Sequence, residues 1–114
     1  MFKDFSSTII LIHIHKQECL MTISDENKKF LEGLLQYYID QADSYNQFAN
    51  EYSKFSNSKR EIAFGVIVGT VYSAFLQTYS NQQLEVRLED IQEFHEFMRD
   101  NIEKITSALD EKNL

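Results

Sequence analysis

The apolar positions of this chain fall into three helical stretches preceded by a short extended one. In the last stretch Leu84, Leu88, Ile91, His95, Met98, Ile102, Ile105 and Leu109 alternate steps of four and three, the spacing of a coiled-coil-like seam along one helix. Glu85, Glu89, Glu93, Glu96 and Asp100 fall off that seam and read as its solvated face. In the first stretch Leu31, Tyr38, Tyr45 and Tyr52 recur every seven residues, Leu34, Phe48 and Phe55 fill the complementary frame, and Leu35, Ala42 and Ala49 lie beside them. This pattern predicts one amphipathic helix of about 30 residues, roughly 45 Å long.

The middle stretch, EIAFGVIVGTVYSAFLQTY, runs from Glu61 to Tyr79 and carries no charge between Ile62 and Leu76. Its uncharged length is about 22 Å, against a hydrocarbon thickness of roughly 30 Å. A membrane span would have to bury Gln77, Thr78, Ser80, Asn81 and Gln82. No aromatic belt marks both ends, although Lys59 and Arg60 would suit a cytoplasmic flank. The stretch therefore reads as the central core helix of a soluble bundle. Gly65, Gly69 and Ser73 are spaced four apart along one face, flanked by Ala63, Val66, Thr70 and Ala74. Each glycine lowers helix stability by about 1 kcal/mol relative to alanine. Close packing of a crossing helix would offset that loss, and Tyr38 and Tyr45 of the first helix are the candidates to lie over the groove.

Capping residues set the boundaries. Ser24, followed by Asp25 and Glu26, starts the first helix. Ser58 with Glu61 forms a capping-box pattern that starts the second, and Ser80 with Gln83 repeats it in a weaker form for the third. Proline is absent and only 3 glycines occur, so little interrupts these helices. The predicted fold is all-α, an antiparallel up-down-up three-helix bundle with long first and third helices, occupying residues 23–114. Residues 1–22 form an N-terminal extension, strand-like where Ile12 and Ile14 alternate with His13 and His15. Met21 is an alternative start, because MTISDENKKF opens directly into a helix.

The second helix, at roughly 31 Å, is shorter than its neighbours at over about 40 Å. Apolar overhangs follow, with Phe30, Leu31 and Leu34 at one end and Ile102, Ile105 and Leu109 at the other. Exposed apolar patches of that kind mark interfaces, so the bundle is expected to be completed by homodimerisation.

Charge narrows the choice of partner. The net charge is −7, and Met1 to Leu20 adds nothing to it because Lys3 and Lys16 offset Asp4 and Glu18. A helical body this acidic repels a phosphate backbone, and Lys59–Arg60 is too small a basic patch to bind nucleic acid. The 43% apolar content supports a packed core. A single cysteine, Cys19, excludes an internal disulfide and fits a reducing, cytoplasmic setting.

Candidate chemistry is sparse. His13, His15 and Cys19 supply too few ligands for a metal site. His95 occupies a seam position, but Gln92 stands where a di-metal bundle requires glutamate. No nucleophile elbow, phosphate loop or C-x-x-C pair occurs. The expected protein is non-enzymatic, without metal or cofactor, and acts through protein–protein contact as a homodimer. A second reading is a small-molecule-binding regulatory bundle with its ligand between Tyr38, Tyr45 and His95. A third is a membrane-associated protein that uses the second helix.

Overall fold

A serine side chain begins the first helix as its sequence predicts. Ser24 has extended backbone angles, and its Oγ accepts the Asn27 N–H at 3.1 Å. Asp25 and Glu26 lie in the first turn, where the helix dipole favours negative charge. The computed structural model describes residues 22–112, with side chains through Asp110. The strand-like stretch around Ile12 and the grouping of His13, His15 and Cys19 lie outside the described residues.

Among the described residues the fold is all-α, with five helices: α1 (Asp25–Asp40), α2 (Ala42–Asn50), α3 (Lys59–Asn81), α4 (Leu88–Asp100) and α5 (Ile102–Lys112). A short 3-10 turn at Ser53–Phe55 follows α2. The two long helices expected from the pattern are each divided. The first breaks at Gln41, whose backbone N–H is shared between the carbonyls of Tyr37 and Tyr38. The third breaks at Asn101, whose side-chain amide donates to the Phe97 carbonyl at 2.8 Å. An asparagine that bonds the backbone in this way competes with helix continuation.

The α3 start agrees with expectation in one half only. Ser58 Oγ accepts the Glu61 N–H at 3.1 Å, while the Ser58 N–H is taken by Ser56 Oγ rather than by the Glu61 carboxylate. The Ser80–Gln83 pattern is a helix end, not a start. Leu84 N donates to the Tyr79 carbonyl and Gln83 N to the Ser80 carbonyl, with Gln83 at φ 59. These are the two bonds of a Schellman cap. The next helix begins at Leu88, where Asp90 Oδ2 reaches back to the Arg87 N–H at 3.2 Å.

The core follows four-residue steps. α3 buries Ala63, Ile67, Val71, Phe75 and Tyr79, α1 buries Leu31 and Leu35, and α2 buries Ala42 and Ala49. α3 packs most extensively on α2, whose short buried alanines permit a close approach. Aromatic contacts join α3 to α4, with Phe75 and Phe94 ring centroids 4.9 Å apart. α5 packs against α1, α2 and α3, and Asn46 Nδ2 donates to the Leu109 carbonyl at 2.8 Å inside that contact. Arg60 Nε and Asp110 Oδ1 lie 2.9 Å apart at its exposed edge.

Candidate functional site

α3 has two unlike faces. One carries the buried row just described, and the other exposes Gly65, Gly69, Ser73 and Gln77. A Cβ built at Gly65 or Gly69 meets nothing within 4 Å. The crossing helix expected over these glycines is therefore not supplied by this chain. The reason is rotational: the close contact is made by the opposite side of α3, against Ala42 and Ala49. The glycine face is left as the floor of an open groove of about 610 Å³, bordered by Tyr38 and lined without a single charged side chain.

Beside the groove runs an aromatic ridge on α1 and α2. Tyr38 meets Tyr37 at 5.2 Å and Tyr45 at 5.6 Å, both edge to face. Phe48 and Tyr52 follow at 5.4 Å from each other. Tyr38 and Tyr45 are half-buried, whereas Tyr37 is 56% exposed and Phe55, in the 3-10 turn, 82%. Burial, followed by the neighbouring phenols Tyr38 and Tyr37, pushes the Tyr45 hydroxyl above its ordinary pKa, so it stays a neutral donor.

His95 does not join this tyrosine pair. It is exposed on α4, stacked on Tyr72 of α3 at 5.9 Å. The recess it lines is formed with Gln92, Glu96 and Arg99, and the groove beside Tyr38 does not include it. The pocket expected between Tyr38, Tyr45 and His95 is thus not assembled among the described residues. His95 leaves the seam because Phe94 takes the inward position. The expected overhangs are also largely absorbed. Leu31, Ile105 and Leu109 are core residues of the chain itself, Leu34 packs against that core, and only Phe30 and Ile102 remain exposed.

The same rotation buries two acids that the sequence pattern placed in solvent or ignored. Asp90 is 3% exposed and Glu93 7%. Glu93 Oε1 accepts the backbone N–H groups of Thr22 at 2.7 Å and Ile23 at 3.0 Å. Lys28 Nζ stands 3.7 Å from Glu93 Oε2. Tyr79, close to both acids, has its hydroxyl pushed up to about 12, first by burial and then by the negative charges of Asp90 and Glu93. A buried carboxylate without partners is strongly destabilising, so these backbone donors and Lys28 are what make the burial tolerable. The available signal was the cluster Phe94, Phe97 and Met98: a stripe centred on it would have turned Asp90 and Glu93 inward.

No three His, Cys, Asp or Glu side chains among the described residues are grouped to hold a metal. Lys59–Asn81 is long and apolar enough to cross a membrane by length and composition, with mean hydropathy 1.4 over an 18-residue window of which 28% is buried. Compared with known proteins, the chain matches no family model, no curated protein and no solved structure.

Proposed function

We propose that this protein is a non-enzymatic helical module of the cytoplasm that acts through protein–protein contact, with a second copy of itself as its partner. Its helices would then form the three arms of an up-down-up bundle, α1–α2, α3 and α4–α5, completed by dimerisation. The observation that carries this reading is the empty glycine face of α3. Gly65 and Gly69 each weaken the helix by about 1 kcal/mol, and nothing in the chain fills the space they create. A helix from another molecule would give that space a use.

The occupant suggested by the surface itself is the neighbouring aromatic ridge of a second copy. Ridge and groove lie side by side and share Tyr38, which is the arrangement an isologous two-fold contact requires. Each ridge would enter the partner's groove, and both would do so at once. The uncharged lining matters on a chain of net charge −7, because two copies can approach there without opposing like charges. Exposed aromatics are the side chains that anchor such interfaces.

Low burial of α3 favours one other reading, insertion of this helix into a lipid bilayer. Against it, Ile67, Val71 and Phe75 are already enclosed by the chain's own helices. Light scattering after size exclusion in detergent-free buffer separates the two. A soluble dimer is expected, with Gly69→Arg monomeric and still helical. A monodisperse wild-type monomer overturns the dimer, and recovery only with detergent favours the membrane.

A further inference from the structure

The Thr22–Glu93 contact has the character of a charged pair, although Thr22 offers only an amide when the chain continues upstream. Its 2.7 Å length lies at the short end for an amide donor and within the range of ammonium–carboxylate bonds. Glu93 is buried, and among the described residues its Oε2 accepts no hydrogen bond. Lys28, at 3.7 Å, is beyond hydrogen-bonding distance. A donor with more protons and a positive charge at the Thr22 nitrogen would satisfy both oxygens.

The sequence places a methionine immediately before that nitrogen. Met21 stands where the electroneutral first segment gives way to the acidic helical body. Threonine is also small enough to follow a methionine that aminopeptidases remove. We infer that Glu93 is a receptor for the free α-ammonium of Thr22, produced by translation from Met21 and removal of that methionine. The removal is a hydrolysis by a methionine aminopeptidase. One water enters across the Met21–Thr22 bond, its oxygen leaves in the carboxylate of free methionine, and both its protons end on the Thr22 nitrogen.

The resulting ammonium lies at the entry to α1, beside a carboxylate held by α4. It fixes the start of the first helix to the middle of the chain's fourth. Thr22 is half-buried, so the amine is shielded from reagents in the folded protein and exposed to them on unfolding.

Two readouts test the inference on protein produced from the whole reading frame in its natural flanking sequence, with both methionine codons intact. Intact mass gives the N-terminus: Thr22 is expected, and a chain beginning at Met1 or at any other residue overturns the inference. Amine-selective acylation at neutral pH then compares native with denatured protein. The Thr22 amine is expected to react about tenfold or more slowly in the native state, one unit's worth of bias toward its charged form. Glu93→Gln should abolish that protection while Glu93→Asp retains part of it. Equal native and denatured rates overturn the inference without recourse to any variant.

Discussion

Asn27 and Gln82 exchange both of their side-chain amide hydrogen bonds. Asn27 Nδ2 donates to Gln82 Oε1 at 3.0 Å, and Gln82 Nε2 donates to Asn27 Oδ1 at 2.9 Å. The pair ties the first turn of α1 to the end of α3, and Asn27 is itself buried. Its two bonds satisfy an amide that would otherwise be stranded.

Removing either partner should therefore have unequal effects. Asn27→Ala is expected to destabilise by about 1–2 kcal/mol and Gln82→Ala by less, because Gln82 lies at the surface. A double-mutant cycle in urea should give a coupling of about 1 kcal/mol. A coupling near zero would mean that the two amides do not depend on each other.

Gln83 holds the left-handed position of the α3 cap at φ 59, a conformation disfavoured for side chains with a Cβ. Gln83→Gly should raise stability by about 0.5–1 kcal/mol, less the entropy that glycine adds to the unfolded chain. Denaturant midpoints at equal slope measure it.

Gly65→Ala and Gly69→Ala should act in opposite directions on folding and on association. Each methyl enters open space and should stabilise the folded chain by up to about 1 kcal/mol. The same methyls narrow the groove and should weaken the dimer, seen as a higher dissociation constant in sedimentation. Tighter association in both variants would remove the glycine face from the interface.

Tyr79 makes stability depend on alkaline pH. Its hydroxyl is raised to about 12 in the folded state, against about 10 unfolded. Between those values the unfolded chain releases the proton and the native chain keeps it, so the native state binds more protons and stability falls as pH rises. The contribution is complete below pH 10, is lost towards pH 12, and is of the order of 2 kcal/mol. Lysines titrate in the same range, so the comparison is with Tyr79→Phe, whose urea midpoint should fall less steeply between pH 9 and 11.5.

Helix content and the start of α1 and α3 were legible because serine caps and apolar periodicity act over a few residues. The α4–α5 stripe was not. The four-three alternation through His95 was unbroken, yet Phe94 and Met98 are the residues enclosed, a shift of one position that turns Glu93 from solvent to core. Only the long-range contact with Thr22 and Ile23 makes that phase favourable, and no local pattern encodes it. Asn101 was similarly hidden, since a break that keeps the apolar face in register leaves the spacing almost unchanged. The glycines were recognised as a surface for close approach, but their direction depends on which side of α3 receives Ala42 and Ala49. Periodicity along one helix does not report that choice.

The breaks at Gln41 and Asn101 leave α3 as the only long helix that is continuous. Around its first half gather α2 and α5, held by Asn46 to Leu109 and Arg60 to Asp110. Around its second half gather α1 and α4, held by Asn27 to Gln82 and by Phe75 against Phe94. Each hinge residue lies between the groups, so one group can loosen without stripping backbone bonds from the other. The amides of α3 then exchange with solvent only when both groups have opened, and those of α2 and α5 exchange as a set. The protein is in this sense two small cooperative units threaded on one spine, and the glycine face lies on the unit that does not carry the N-terminal clasp.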